Sequence, residues 1–448
     1  MPARPDMLHQ PKFWKVFLIF LGPLILTNIL QNLSGTINTI FVGQMLGVEA
    51  IAAISVFFPI LFLLLAFVIG LSTGATVLVG QAWGAKDIEK VRTIVGALLF
   101  MTLIGGSIIA FLGVFFAKEI LLLLGIDPKI MHLALPYVQW MLMSSPFLFI
   151  YITYTSILRG VGDSTTPLMA SSLTIIVGVI VTPALIGGYF GLPKLGIIAP
   201  AIASGLGFIS TLVFLYVYLN KKDHALRPDA ALIQHIRYHP QFSRSILRLG
   251  VPTGIQMVTN SVAGLVVIGL VNQHGAHATA AYGAVNQVLN YIQFPALSIA
   301  IAGSIFAAQA IGAGKSELLA KVTRTALLSN IVITGSLVLL AYICSKYLMA
   351  LFITDPSVIE LGQQLLFIVL WSIIFFGASA IFASIMRASG TVTVPMIFNI
   401  LSILLIEVPC AYLFSIWYAL ALTFFSLCLM QGLYYQFVWK KKTIEILI

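Results

Sequence analysis

The stretch Gln81-Ala82-Trp83-Gly84-Ala85 returns 228 positions later as Gln309-Ala310-Ile311-Gly312-Ala313. Outward from it, Gly22, Asn32, Gly47, Ala52-Ala53, Asp127-Pro128, Arg159 and Pro167 keep the same offset. Their counterparts are Gly250, Asn260, Gly275, Ala280-Ala281, Asp355-Pro356, Arg387 and Pro395. One register held from Gly22 to Pro167 means two copies of one structural unit. The chain is 60% hydrophobic and 8% charged, and its apolar runs of about twenty residues recur from end to end, which makes it an integral membrane protein. Two such copies in a membrane generally clasp a site and rock around it. The repeat therefore points to transport before any single residue does.

The apolar runs predict an all-α protein of twelve helices, at 14–44, 51–78, 91–117, 131–158, 166–189, 197–220, 246–272, 279–306, 322–346, 358–386, 393–414 and 416–439. Six fall in each copy, an even number, so the second copy starts on the same side as the first and the repeats are parallel. This divides the chain into an N-lobe (1–220), a linker (221–245) and a C-lobe (246–448). The net charge of +10 is arranged by topology rather than as a nucleic-acid patch: one side collects twenty Lys and Arg, the other only Lys118, Lys129, Lys194 and Lys346. Positive charge stays inside, so both termini are expected in the cytoplasm of a multi-pass plasma (inner) membrane protein.

The linker is polar, and its Lys221, Lys222, Arg227, Arg237 and Arg244 suit an anionic leaflet, but positive-inside bias on a plain connection already explains them and is the preferred reading. The first fifteen residues are polar and no cleavable signal is expected. Cys344, Cys410 and Cys428 sit in or beside apolar spans as packing residues. Trp83, Trp371, Trp417 and Trp439 fall near span ends, as an aromatic belt does. His274 and His277 have no third ligand nearby, so a solvated turn is expected and no metal. Nothing in the chain assembles an enzyme's acid, base or nucleophile cluster.

Thirteen of the fourteen acids lie in tails, connections or helix ends; the exception is Glu407. It stands about fifteen residues into the eleventh helix, roughly 22 Å along it at about 1.5 Å per residue. Pro409 follows and should kink the helix. A carboxyl there can bind a proton or Na⁺, or pair with a cationic solute. Alternatively it reaches the outer interface or serves as a hydrogen-bonded structural plug. Amides form the other polar signal. Asn28 and Asn32 are spaced i,i+4 on the first helix, and Gln256 and Asn260 repeat that face on the seventh. Asn286, Asn290 and Gln293 form a stripe on the eighth helix with no counterpart on the second. Such amides line a hydrated cavity or join helices by hydrogen bonds.

Three motifs resemble the multidrug and toxic compound extrusion (MATE) transporters. They are Asn38-Thr39-Ile40-Phe41-Val42-Gly43 with Gly47, Gly80-Gln81-Ala82-Trp83-Gly84-Ala85, and Leu158-Arg159-Gly160-Val161-Gly162-Asp163-Ser164-Thr165-Thr166-Pro167. The resemblance implies a V-shaped pair of pseudo-symmetric six-helix lobes, a substrate cavity between them, and export of small organic solutes by H⁺ or Na⁺ antiport without a cofactor. It also implies a gating role for Arg159, Gly162, Asp163 and Pro167 and their partners Arg387 and Pro395. The chain departs from the family where the family carries acids: Asn38 and Thr182 replace two, and Asn260 and Phe376 fall near two others. An amide does not titrate at physiological pH, which leaves Glu407 as the coupling candidate and Asn38 among the cavity amides. A monomer is expected. A lipid-linked-precursor flippase of the wider superfamily is the alternative, but such cavities hold phosphates with mid-span Arg or Lys, and none is present here.

Overall fold

The computed structural model describes residues 12–413 and 416–448; Arg4, counted above with the inner charges, lies outside them. Ten helices are long and apolar enough to cross a membrane, and two bent pairs complete a set of twelve. They are α1 (Phe13–Leu46), α2 (Val48–Gly84), α3 (Ile88–Phe115), α4 (Pro128–Met143 with Ser145–Gly160), α5 (Thr165–Gly187) and α6 (Gly196–Lys221). The second copy supplies α7 (Pro240–Asn272), α8 (Ala276–Gly312), α9 (Ser316–Ile343), α10 (Pro356–Val369 with Ser372–Ala388), α11 (Thr393–Leu413) and α12 (Ile416–Lys441).

The repeat is visible in the backbone. Gly47 and Gly275 open α2 and α8 at φ +87° and +92°, and Gly162 and Gly390 both turn at φ +85°. These are left-handed conformations that a side chain resists, so glycine recurs at both positions of each pair. Asp127 and Asp355 cap α4 and α10 alike, each accepting a hydrogen bond from the N–H two residues on at 2.9 Å. Both helices then bend, by 47° and 43°.

The described chain forms two compact units. The first comprises Leu26–Val79 and Asp87–Val251. Its core packs Phe57, Leu121, Val138, Leu142 and Phe149, all buried. The first turns of α7 belong to this unit: Gly250 passes α2 so closely that a Cβ on it would stand 2.7 Å from the Gly70 carbonyl. The polar linker also packs here. Asp229 caps the short helix Ala230–Gln234, while Leu226 and Leu232 are buried. Tyr154 donates its hydroxyl to the Leu226 carbonyl at 3.1 Å, and Arg92 reaches the Ala225 carbonyl and the Asp229 carboxylate. The Leu232 N–H, then Arg227 and Arg92, hold the Asp229 carboxyl below its usual range despite partial burial.

The second unit comprises α1 up to Ile25, Gly80–Lys86 and Pro252–Ile448. Phe13, Phe17 and Phe20 of α1 surround the Phe306 ring with centroids 5.4, 5.7 and 5.3 Å away. The ends of α2 and α8 each run six residues beyond the sequence expectation, to Gly84 and Gly312. They stay helical because they pack on each other: a Cβ on Gly84 would strike the Gln309 backbone, and one on Gly312 the Gln81 backbone. The fully buried Gln81 side chain donates to the Ala388 carbonyl at 2.9 Å and accepts from the Leu447 N–H at 2.8 Å. The polar motif that looked like a connection is thus a satisfied interior contact. Trp439 departs from the belt expectation: it is buried and donates to Ser389 Oγ at 3.0 Å.

Candidate functional site

In the second unit, α11 carries a π-helical turn over Ile403–Glu407. Such a turn admits one extra residue and shifts the helix face that follows it. The buried positions of α11 are Pro395, Asn399 and Ser402 before this turn, Ile403 and Glu407 at its two ends, and Cys410 after it. Asn399, Ile403 and Glu407 follow one another four residues apart, the spacing that keeps side chains on one helix face, here the interior one. Pro409, whose ring cannot donate a backbone bond, follows two residues later.

Glu407 is only 7% exposed. It lines a cavity with Tyr282, Leu289, Leu365, Trp417 and Leu420 that has about 20 Å³ of room for the centre of a water-sized sphere. That accommodates one water or a small cation. Among the described residues no Lys or Arg lines the cavity and Glu407 makes no ion pair. Asn286 of the α8 amide stripe stands one helical turn from Tyr282 of the cavity wall, close enough to act on its hydroxyl. The Trp417 ring packs against His274 at 6.0 Å and Tyr282 at 6.5 Å. Trp417, expected in the belt, is therefore part of this pocket. Lower on the same interior face, Asn399 Oδ1 and Ser402 Oγ are buried without a protein partner, as is Gln431 Oε1 on α12.

The amides divide. Gln256 is half-buried and donates to the Pro395 carbonyl at 3.4 Å, tying α7 to the start of α11. Gln293 is half-buried, whereas Asn260 and Asn290 are exposed on their unit. In the first unit Asn28 is half-buried and Asn32 exposed. Asn38 accepts a hydrogen bond from Thr182 Oγ1 at 3.3 Å. Two positions where the family carries acids therefore meet as a neutral pair.

Sequence reading missed a cluster on the same two helices, α1 and α5, that α4 completes. Gln31 Nε2 donates to Tyr151 Oη and to Ser171 Oγ, both at 3.3 Å. The Tyr151 and Ser171 hydroxyls share a bond at 2.9 Å, and the Tyr151 ring stacks on Phe208 with centroids 5.5 Å apart. Each contributing helix shows one unremarkable polar residue, and only folding assembles them. Equivalent positions in the second copy hold Thr259, Ser379 and Asn399, so this network is not repeated.

The loop motif after α4 is built for positioning. Arg159 donates to Ser156 Oγ at 2.8 Å. Asp163 accepts from the Thr165 and Thr166 N–H groups at 3.0 Å each and from Thr166 Oγ1 at 2.5 Å, which caps α5. His224 Nε2 lies 3.9 Å from the same carboxylate. Burial pushes the His224 imidazole below its ordinary pKa, with Asp163 pulling the other way. Pro167 and Pro395 are buried near the starts of α5 and α11. Arg387 lies in the last turn of α10, as Arg159 does in α4.

The MatE family model matches residues 23–184 and 252–413. The chain is 41% identical to the probable multidrug resistance protein YoeA of Bacillus subtilis (strain 168), covering 100% of this chain and 98% of the relative. It is 27% identical to the probable multidrug resistance protein YpnP of the same organism, over 91% of this chain and 90% of that one. A solved outward-facing structure of a multidrug resistance MATE family transporter of the MOP superfamily has the same fold, with a TM-score of 0.88 over 97% of each chain at 19% identity.

Proposed function

The chain belongs to the MatE family of membrane transporters, and from that premise we propose that it exports small organic solutes by H⁺ or Na⁺ antiport, with Glu407 as the coupling group. It is a transporter rather than an enzyme, and its relatives are named for multidrug resistance. The observation that carries the coupling assignment is Glu407, buried at the end of a π turn and lining a cavity sized for one water or ion. An unpaired carboxyl in such a place takes a proton or a small cation at modest cost and releases it when the cavity opens. Asn38 and Thr182 cannot do this, because neither titrates.

On this reading the exposed amides Asn32, Asn260 and Asn290, with Asn28, Asn38, Gln256, Asn286 and Gln293, bind solute along its path during alternating access. The absence of a fixed charge among them favours neutral, zwitterionic or weakly cationic solutes. Arg159, Gly162, Asp163 and Pro167, with Arg387 and Pro395, fix the inner helix ends about which each six-helix half moves. The 221–245 segment joins the halves, and both termini lie in the cytoplasm. The protein acts as a monomer in the plasma membrane, and the coupling ion is the only co-reactant needed.

The test is efflux of a dye panel from proteoliposomes under an imposed pH or Na⁺ gradient, with wild type beside Glu407→Gln. Gradient-driven efflux should fall at least about tenfold in the variant while dye binding persists, as expected when one essential ionisation is removed. Equal efflux by wild type and variant would overturn the Glu407 assignment. Failure of either gradient to drive any solute would overturn antiport.

A further inference from the structure

A surface groove in the second unit, between α9, α10 and α12, has about 410 Å³ of room for the centres of water-sized spheres and shares no lining residue with the Glu407 cavity. Its floor is aromatic and held in place. Tyr435 shares a hydroxyl bond with Thr323 at 2.7 Å, and the Phe382 ring lies 5.1 Å from the Tyr435 ring. Gly432 keeps the floor open, since a Cβ there would already stand 3.3 Å from Phe382. Leu327 and Leu328 form an apolar wall.

The two charged residues that line the groove are both cations, Arg324 and Lys440. Lys440 is held over the Tyr435 ring at 5.6 Å and donates to Gln436 Oε1 at 2.8 Å. Arg324 is exposed, and among the described residues it pairs with no acid. Arg324 stands near the start of α9 and Lys440 at the end of α12, so both lie at the helix ends that carry most of the chain's positive charge.

We propose that this groove is a binding site for an anionic phospholipid, with the phosphate between Arg324 and Lys440 and an acyl chain along Leu328, Phe382 and Gly432. Two cations without an acid match a net negative headgroup. The amine of a zwitterionic headgroup would find no carboxylate. The apolar wall and floor offer nothing to a free inorganic anion but suit a hydrocarbon chain.

The experiment is native mass spectrometry of the purified full-length protein. It is equilibrated with equal amounts of phosphatidylglycerol and phosphatidylcholine carrying the same acyl chains. Wild type should retain phosphatidylglycerol in preference. The double variant Arg324→Ala/Lys440→Ala should lose that preference by at least about tenfold. Leu328→Trp, which fills the groove and leaves both charges, should lower retention of phosphatidylglycerol. Lys222→Ala/Arg244→Ala, which removes two cations elsewhere, should retain it as wild type does. Equal retention of the two lipids by wild type would overturn the site. So would an Arg324/Lys440 variant that behaves as wild type, or displacement of the lipid by millimolar inorganic phosphate. Lipid retention is read without transport, so the site can fail while the antiport reading stands, and the reverse.

Discussion

Glu407 stood out in the sequence because an acid within an apolar helix is costly and rare. The Gln31–Tyr151–Ser171 cluster did not, because hydroxyls and amides are common in membrane helices. Its members lie 120 and 140 positions apart, so no local pattern joins them. The cluster nevertheless makes a measurable claim. Tyr151→Phe removes the hydroxyl that Gln31 and Ser171 share while keeping the ring stacked on Phe208. Loss of a buried hydrogen-bond partner costs about 1–2 kcal/mol. The thermal midpoint in detergent should therefore fall for Tyr151→Phe. Thr259, at the position equivalent to Gln31 in the second copy, donates its hydroxyl to the Ile255 carbonyl of its own helix at 2.8 Å, so Thr259→Val should shift the midpoint less. Equal shifts would mean that the first-unit cluster contributes nothing beyond a local bond. The Asn38–Thr182 pair was half legible: the missing acids could be read from the motif, but their meeting at 3.3 Å could not.

At the level of elements, the helices themselves were readable from apolar run length, and their ends were less so. Gln81 reads as part of a connection because sequence does not reveal that neighbouring backbone will satisfy its side chain. The π turn in α11 was invisible for a related reason. Its sequence, Ile403-Leu404-Leu405-Ile406-Glu407, is that of ordinary helix, and no residue in it marks the wider turn. The linker shows the same limit. It reads as a polar tether, yet its Leu226, Leu232 and His224 pack on the first unit. There His224 Nδ1 accepts the Leu226 N–H at 3.1 Å, which places the proton of the neutral ring on Nε2, toward Asp163. Protonating Nδ1 loses that bond. Burial is the larger influence and lowers the folded pKa beneath the ordinary 6.5. A group whose folded value is depressed contributes stability above its unfolded pKa, and that contribution is lost as pH falls through the folded value. The window therefore opens at about pH 6.5 and extends downward, above the range in which the lowered Asp229 carboxyl titrates. Wild type should lose thermal stability between pH 6.5 and 5 more steeply than His224→Gln. Parallel pH profiles for the two proteins would remove His224 from the account.

For the whole molecule, the offset of 228 announced two copies but not that the copies touch each other through the very motif that announces them. Gly84 packs on the backbone of Gln309, and Gly312 packs on the backbone of Gln81. Replacing each residue of the first pair by its counterpart in the other copy, 84 by 312 and 309 by 81, gives the second pair. A contact that maps onto itself in this way is isologous, the pattern of a local two-fold relation between the ends of α2 and α8. It explains why glycine and glutamine are kept in both copies while the polar chemistry of Glu407 and Gln31 is not. The close crossing constrains both partners at once, whereas a binding residue in one copy places no demand on the other. Gly84→Ala and Gly312→Ala should each destabilise the protein by about 1–3 kcal/mol, because a methyl group must displace backbone rather than a pliable side chain. Because both methyl groups force apart the same pair of helix ends, the double variant should cost less than the sum of the single costs. Gly264→Ala and Gly283→Ala, where a Cβ meets nothing within 4 Å, should be neutral or gain up to about 1 kcal/mol of helix propensity. Thermal midpoints of the five variants beside wild type decide the matter. If the crossing glycines tolerate alanine as well as the open ones do, close packing is not the reason that the motif is written twice.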